Sequence, residues 1–344
     1  MEIIRHEIFT QNESLLKTKE QLYLQKDELT EFLHQPCEKI IFLGCGSGYM
    51  LSTGAATQFS IHTDKKAVGL AGGAVMMDPP KYKDLFENAL VVITSRSGET
   101  SEVVYSLEEM KKLNSFRTLG ILSNESYTLR PMMDMSVIIP WTYDHSVCQT
   151  RNISNFYYSL TMLLAFYKGD EDLAESFSRF LEIQPEYIAK LEEDCKEIAN
   201  KEWDNVTVLA EGEVCGVANE GGLAFTEISI LPGDFYNILD YRHGPIVLVN
   251  SRKLVIVLLE KKIDEHQKKM IADLKKRNGY VITLGLADRE TWGSDYHVCL
   301  DNIDRFEAWG LPYINLCQIL AFSKAVANGH DPDAPEGLNA FVKF

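Results

Sequence analysis

The chain has 344 residues, of which 45% are hydrophobic, and it carries 50 acidic against 34 basic residues for a formal net charge of −16. This length and apolar content suffice for about two globular domains with sizeable cores. The acidic balance and the absence of a long Lys/Arg run argue against sequence-independent binding of nucleic acid or of anionic membranes.

The sequence carries no sign of export or membrane insertion. Its start, MEIIRHEIFTQNESLL, is charged throughout and lacks the apolar core of a signal peptide, and no later apolar run is long enough to span a membrane. The seven cysteines are scattered and form no C-x-x-C pair, which favours reduced thiols over a disulfide framework or a zinc site. We therefore expect a cytoplasmic protein without a membrane partner.

Residues 1–37 are predicted to form an N-terminal helical segment, because leucines recur at helical intervals among charged residues up to Pro36. From residue 38 to residue 168, short apolar runs alternate with helical stretches such as SEVVYSLEEMKKL. The apolar runs are KIIFLG, KAVGLAGG, ALVVIT, TLGILS and SVIIPW. This alternation predicts a first α/β domain of parallel strands with helices on both faces.

Residues 169–200 are interpreted as a helical connector with one charged face and a narrow apolar one. Residues 201–344 then repeat the first half: NVTVLAEGEV corresponds to KIIFLGCGSG, KLVIVLLEKK to ALVVITSRSGET, and YVITLGL to FRTLGILS. This duplication predicts two tandem doubly wound parallel-sheet domains. The second copy has LEKKID in place of SRSGET, so we expect one anion site per chain.

The segment SRSGET, residues 95–100, follows a predicted strand and precedes a predicted helix. Ligands of parallel α/β sheets bind at the carboxyl ends of strands. The first turn of a helix adds unpaired N–H groups and the positive end of the helix dipole. Ser95, Ser97 and Thr100 therefore indicate a phosphate site that needs no lysine. The alternative is that Ser97 or Thr100 only caps its helix.

A second Gly/Ser turn, GCGSGYMLS, follows the neighbouring predicted strand, and its residues Cys45, Gly46, Ser47 and Gly48 allow close backbone approach. A lone Gly-x-Gly pattern without an acidic ribose partner at the usual distance is a weak indicator of a dinucleotide, so we do not expect NAD. Two hydroxyl-bearing turns at neighbouring strand ends favour a small phosphate ester instead.

Two side chains of the second half are acid–base candidates. Glu227 lies on a small-residue helix, where helical geometry would place it on the buried face near Leu223 or Ala224. Burial destabilises an ionised carboxylate, which suits a general base. His243 lies in the YRHGP turn, just before an apolar run that predicts a strand, and histidine transfers protons near neutral pH. The alternatives are a surface or capping glutamate and a structural histidine.

The remaining histidines show no metal-ligand spacing, and the sequence contains neither a Walker-type loop nor a nucleophile elbow. We therefore predict neither metal nor covalent-serine chemistry.

The ordered motifs GCGSGY, SRSGET, SVCQTR, EGGLAFTEIS, YRHGP and NGHDPDAPEGL resemble the sugar isomerase (SIS) family in its double-domain form. The resemblance runs from about residue 39 to the C-terminus. It extends to the isomerase half of glucosamine-6-phosphate synthase and, more closely, to stand-alone amino-sugar-phosphate isomerase/deaminases, tagatose-6-phosphate-type ketose isomerases and deglycases. It implies two flavodoxin-like domains, and we expect no counterpart of the synthase's glutamine-hydrolysing domain.

The resemblance also implies roles for individual residues. Glu227 would move a proton between C1 and C2 of a sugar 6-phosphate, and His243 would assist ring opening or protonate the leaving amine. No cofactor and no metal are implied, and the family's active sites form at a homodimer interface, with the histidine loop supplied by the neighbouring subunit. The substrate- and phosphate-binding residues implied are Gly46, Ser47, Ser95, Arg96, Ser97, Thr100, Val147, Gln149, Arg151 and Arg242.

Three positions depart from the synthase pattern. Ala224 and Thr226 stand where the synthase has lysines, and Ala340 stands where its tail supplies a Schiff-base lysine. Lys343 is near but out of register, so imine formation with an enzyme lysine is not expected.

Three functions are compatible with this pattern. The leading hypothesis is aldose–ketose isomerisation of an amino-sugar 6-phosphate with release of ammonia. A deglycase acting on Amadori sugar 6-phosphates would use the same base and acid. A non-catalytic sugar-phosphate sensor is the alternative of another class, although such regulators typically pair one SIS domain with a helix-turn-helix.

Overall fold

The computed structural model describes residues 2–125 and 128–338, which divide into two domains. The amino-terminal domain comprises Phe9–Ala174 with residues 337–338, and the carboxy-terminal domain comprises Glu175–Glu336 with residues 2–8. The chain passes from the first domain to the second within helix α9 (Glu171–Ala199).

The amino-terminal domain is built on a five-stranded sheet in the order β2-β1-β3-β4-β5, with parallel pairing throughout. Its strands are β1 (Lys39–Gly44), β2 (Lys66–Ala71), β3 (Ala89–Ser95), β4 (Arg117–Leu122) and β5 (Met135–Ile138). The helices up to α9 are α1 (Glu2–Phe9), α2 (Gln11–Leu24), α3 (Lys26–His34), α4 (Ser47–His62), α5 (Gly72–Met77), α6 (Pro79–Phe86), α7 (Ser101–Leu113) and α8 (Arg151–Lys168).

The carboxy-terminal domain repeats this architecture. Its sheet has the order β7-β6-β8-β9-β10, again with parallel pairing. Its strands are β6 (Asn205–Ala210), β7 (Gly233–Asn237), β8 (Lys253–Leu258), β9 (Tyr280–Gly285) and β10 (Tyr296–Cys299). The helices after α9 are α10 (Cys215–Ser229), α11 (Glu265–Lys276), α12 (Arg289–Trp292) and α13 (Gly310–Ala327).

The two sheets confirm the predicted fold class. In each domain the first strand pairs with the second on one side and with the third on the other, which is the flavodoxin-like order. Strands β1, β3 and β4 occupy the same places as β6, β8 and β9, as the sequence duplication predicts. The central strands β3 and β8 are buried along their whole length, as expected for parallel strands covered on both faces.

The N-terminal segment is helical, as predicted, but it is divided into α1, α2 and α3. The predicted apolar stripe faces the interior, since Leu15, Leu22, Leu29 and Leu33 are all buried. Among the described residues, no helix is both long and apolar enough to cross a membrane.

The residues after His243 differ from the prediction. Residues 240–243 and 245–248 form two 3-10 turns, and the next strand, β8, begins only at Lys253. Gly244, with φ of 152°, separates the turns, and Pro245 fixes the first position of the second one. The apolar run IVLV is therefore a turn and not a strand.

The carboxyl end of α9 is closed by a lysine from another helix. Lys324 on α13 is only 5% exposed, and its Nζ donates to the carbonyls of Ala199 (3.0 Å) and Lys201 (2.9 Å). The ammonium also lies 4.3 Å from the ring centroid of Trp203. Burial lowers the pKa of Lys324, so the contacts offset a real desolvation cost.

We expect Lys324→Met to destabilise the carboxy-terminal domain by about 1–3 kcal/mol, because the carbonyls at the end of α9 lose their donor. Urea unfolding followed by circular dichroism measures the change. Lys269→Met is the matched control, since Lys269 is exposed on α11. Equal unfolding midpoints for the two variants would contradict this role for Lys324.

Candidate functional site

A cavity of about 50 Å³ lies at the carboxyl ends of the adjacent strands β1 and β3. The chain leaves β1 toward β2 on one side and leaves β3 toward β4 on the other, so the connections diverge here. Open α/β sheets bind ligands at such a switch point, and this volume holds a few waters or one tetrahedral oxyanion. The cavity is lined by Cys45, Gly48, Thr94, Ser95, Arg96, Ser97, Thr100, Val103, Gln149 and Phe156.

Three helices begin around this cavity. Gly48 is the second residue of α4, Thr100 immediately precedes α7, and Gln149 lies two residues before α8. The amino end of a helix carries partial positive charge and N–H groups that favour an anion. These backbone dipoles favour an anion in the cavity, within a chain of net charge −16.

The loop between β3 and α7 is held by its own serines. Ser95 Oγ accepts the N–H of Gly98 (2.9 Å), and Ser97 Oγ accepts the N–H of Glu99 (3.1 Å). Gly98 has a φ of 66°, a conformation that a side chain would strain. Because both oxygens act as acceptors in these bonds, each hydroxyl still has a proton to donate.

Thr100 occupies the N-cap position of α7, but its side chain makes no capping hydrogen bond. Its carbonyl accepts the N–H groups of Val103 and Val104, which closes the first turn. Thr100 therefore lines the cavity and is not used as a side-chain cap.

Arg96 connects this loop to the segment 143–150, which precedes α8. Its side chain is 5% exposed, and Nη1 donates to the carbonyls of Ser146 (3.1 Å) and Val147 (3.2 Å). The guanidinium thus holds the backbone next to Gln149, which lines the cavity. Val147 takes part through its carbonyl and does not line the cavity.

Two further charged residues hold the same segment. Asp144 Oδ2 accepts the N–H groups of Thr150 (2.7 Å) and Asn152 (2.9 Å), at the start of α8. Arg151 Nη2 donates to the carbonyl of Tyr143 (2.7 Å), and its Nε lies 3.7 Å from Asp144 Oδ1. Arg151 was predicted to contact substrate, but here its guanidinium braces the segment and does not line the cavity.

The structure thus brings five of the predicted binding residues to one cavity: Ser95, Arg96, Ser97, Thr100 and Gln149. Gly46 and Ser47 lie in the adjacent turn between β1 and α4 without lining it; Gly46 is exposed and Ser47 is buried.

Sequence reasoning missed Thr94, Val103 and Phe156 as cavity residues. Thr94 could have been found, since a hydroxyl interrupts an apolar strand near its carboxyl end. Val103 and Phe156 carry no such signal, because apolar helix residues usually face a core. Cys45 was noted only as part of its turn; burial and the nearby Glu102 carboxylate raise the pKa of its thiol, so it lines the cavity as a neutral group.

The acid–base candidates lie in the carboxy-terminal domain. Glu227 is half-buried in the last turn of α10, Leu223 is also half-buried, and Ala224 is buried. Small residues allow α10 to pack closely: a side chain at Gly221 would approach Cys317 Sγ to 2.8 Å. Ala340 and Lys343 lie outside the described residues.

His243 is exposed at the end of a 3-10 turn, beside Val247 and Leu248, which are 70% and 63% exposed. Arg242, predicted to contact substrate, instead pairs with Asp273 on α11; its Nη2 lies 2.8 Å and its Nε 3.1 Å from Oδ2 of that carboxylate. The histidine loop therefore presents an imidazole and an apolar surface, with its arginine already paired.

The crevice of the carboxy-terminal domain that corresponds to the cavity is acidic. Glu260 follows β8 where the first domain has its serines, and its pKa is raised by burial and by the carboxylates of Glu213 and Glu211. Clustered carboxylates repel an anion, which agrees with the expectation of one anion site per chain.

No protein-family model matches the chain. The glutamine–fructose-6-phosphate aminotransferase (isomerizing) of Aquifex aeolicus is 23% identical over 328 residues, covering 92% of this chain and 53% of that protein. The chain spans about half the length of such curated relatives.

Solved structures match over nearly the whole chain. Glucosamine-6-phosphate deaminase from Thermotoga maritima is 28% identical, with a TM-score of 0.76 and coverage of 95% of this chain and 99% of that one. Tagatose-6-phosphate ketose/aldose isomerase from Escherichia coli has a TM-score of 0.86 at 20% identity, covering 98% and 95%. The latter similarity shows the fold alone.

We expect Arg96 to act on phosphate binding through Gln149. Arg96→Gln and Gln149→Ala should each weaken phosphate binding by about tenfold. The double variant should bind no more weakly than the weaker-binding single variant, because both substitutions remove the same contact. Isothermal titration with a sugar 6-phosphate measures the three affinities. Fully additive losses, together with full affinity in Arg96→Lys, would instead mark Arg96 as a direct charge contact.

Proposed function

We propose that this chain, which belongs to the sugar isomerase (SIS) family in its double-domain form, is a phosphosugar isomerase and that its substrate is an amino-sugar 6-phosphate. The observation that carries the proposal is the cavity between β1 and β3, which is lined by Ser95, Ser97 and Thr100 and lies at the amino ends of α4, α7 and α8. The 28% identity to a glucosamine-6-phosphate deaminase over nearly both whole chains supports the amino-sugar part.

In this proposal the cavity fixes the phosphate and thereby the position of the sugar. Hydroxyl donors and helix dipoles suit a phosphate monoester, because they bind the dianion without an ion pair. A fixed phosphate at C6 places C1 and C2 at a constant distance from the anchor, and such positioning lowers the entropic part of the barrier.

Glu227 is the proposed base. It removes the proton from C2 of the open-chain amino sugar while the C1 oxygen gains a proton, which gives an enolamine. It then returns the proton to C1 while the nitrogen at C2 loses one. The product is an imine at C2, which water hydrolyses to the ketose phosphate and ammonia. Its half-buried position supports this role, since partial exclusion of water suits proton transfer. Ala224 and Thr226 leave α10 without the lysines of the synthase helix. Ala340 stands where the synthase tail supplies its Schiff-base lysine, so the proposed mechanism uses no enzyme imine.

His243 is the proposed second acid–base group, for ring opening or for protonation of the leaving amine. We propose that it serves the active site of the neighbouring subunit in a homodimer. Its exposure and the large apolar side chains of Val247 and Leu248 beside it support an interface at this loop. The seven free cysteines support a cytoplasmic location.

We expect the wild-type protein in D₂O to incorporate deuterium at C1 or C2 of a hexosamine 6-phosphate, and Glu227→Gln to lose this exchange by at least about 10³-fold because the base is removed. Proton NMR follows the exchange. Changes in the chemical shifts of Glu227→Gln on addition of the hexosamine 6-phosphate should show that this variant still binds the sugar. Retained exchange in Glu227→Gln would rule out this role.

The same samples separate the alternatives. Ammonia released from a hexosamine 6-phosphate supports deamination, whereas an amino acid released from an Amadori sugar 6-phosphate would identify a deglycase. Exchange on a ketohexose 6-phosphate without amine release would identify a simple isomerase. Binding without exchange on any of these sugars would favour the sensor.

Subunit mixing tests the shared site. Glu227→Gln and His243→Asn should each be inactive alone, and their exchanged mixture should recover about a quarter of the wild-type activity. The reason is that about half of the dimers are mixed, and each mixed dimer holds one intact site of two. An inactive mixture, with exchange verified by native mass spectrometry, would place both residues in one chain's site.

A further inference from the structure

A buried hydroxyl of strand β3 faces the cavity without a partner. Thr94 is 6% exposed and lines the cavity. Among residues 2–125 and 128–338, no hydrogen-bond partner is found for its Oγ1. Ser95 and Ser97, by contrast, each accept a backbone N–H within their own loop.

Local packing keeps this hydroxyl open to the cavity. Thr94 is one residue from the carboxyl end of β3, where its backbone pairs with Ile121 of β4. Gly48, at the start of α4, also lines the cavity and has no side chain. A Cβ at Gly48 would lie 3.6 Å from both Oγ1 and the carbonyl oxygen of Thr94, in ordinary contact.

An unpaired buried hydroxyl is costly, whereas an isosteric apolar group at the same place is not. Valine has the shape of threonine and is preferred in buried parallel strands. A threonine here therefore lowers the stability of the unliganded protein relative to valine. A bound ligand that accepts the hydrogen bond of Oγ1 would remove this cost. The surrounding donors and helix ends point to an anion as that ligand.

We propose that Thr94 is a ligand of the phosphate, donating its Oγ1 proton to the oxygen seated deepest in the cavity. The inference rests on the proposed function, because it deepens the same phosphate site. The phosphate then accepts hydrogen bonds both from strand β3, through Thr94, and from the loop of residues 95–100. A monoester fits this arrangement, since its single ester oxygen can point outward while the other three oxygens face donors.

The test compares Thr94→Val and Thr94→Ser, with inorganic phosphate as the probe. We expect Thr94→Val to bind phosphate about 10- to 100-fold more weakly, the loss typical of a hydrogen bond to a charged group. Its melting temperature without ligand should be unchanged or higher, because no partner is lost. Thr94→Ser should bind within about threefold of wild type, since it keeps the donor.

Calorimetric titration and thermal melting give both readouts on the full chain. A merely structural role for Thr94 predicts the opposite pattern: a lower melting temperature in Thr94→Val with unchanged phosphate affinity. That pattern would overturn the proposal.

Gly48→Ala provides a second variant that does not depend on the hydroxyl. The added methyl group meets no close contact, so the variant should fold. The methyl group occupies the space beside Thr94, so phosphate affinity should again fall about tenfold or more. Unchanged affinity in both Thr94→Val and Gly48→Ala would place phosphate elsewhere in the cavity.

Ser97→Ala separates this proposal from the proposed function. If Ser97→Ala weakens phosphate binding while Thr94→Val does not, the phosphate site stands and the Thr94 ligand is rejected. If wild type neither binds nor is stabilised by inorganic phosphate at millimolar concentration, both the site and the ligand are rejected.

Discussion

The candidate site depends on holding an anion inside a chain of net charge −16, and the fold meets this constraint with dipoles and hydroxyls. Helices α4, α7 and α8 all begin at one cavity, so partial positive charges converge there. Exposed carboxylates beyond about 10 Å are screened by salt, whereas the helix ends lie at the cavity itself. Among the residues that line the cavity, Arg96 is the one with a cationic side chain. Its Nη1 donates hydrogen bonds to two backbone carbonyls.

The duplicated fold shows why topology alone does not determine function. Both domains have a switch point between equivalent strands, but the first presents serines and threonines there and the second presents Glu211, Glu213 and Glu260. The acid–base candidate of the second domain lies elsewhere, in the last turn of α10. Because crossover helices run antiparallel to their strands, this turn lies at the amino ends of the strands, whereas the acidic crevice lies at their carboxyl ends. The two copies therefore diverged at different ends of the same architecture.

The sequence predicts features whose cause is local. Continuous apolar runs predict the strands, and the spacing of Leu15, Leu22 and Leu29 predicts the buried face of the N-terminal helices. A hydroxyl cluster after a strand predicts where the cavity between β1 and β3 lies. What it cannot predict depends on partners distant in sequence. The family resemblance implies that Arg96 contacts the phosphate, yet its Nη1 donates to carbonyls about 50 residues later in the chain. The run after Pro245 has strand composition, but the backbone conformation at Gly244 turns it into a 3-10 turn.

The N-terminal helix α2 supports the site through an unusually polar contact with α8. Ser154 donates to Gln11, Asn155 donates to Ser14 (2.9 Å), and Thr18 donates to the other end of the Asn155 amide (2.6 Å). A buried polar contact stabilises only one register, because sliding by one residue leaves each of these groups unpaired. A purely apolar contact would tolerate such sliding more easily. Since α8 begins two residues after Gln149, a fixed register of α8 also fixes the position of Gln149 in the cavity wall. Residues remote from the cavity thereby set its dimensions.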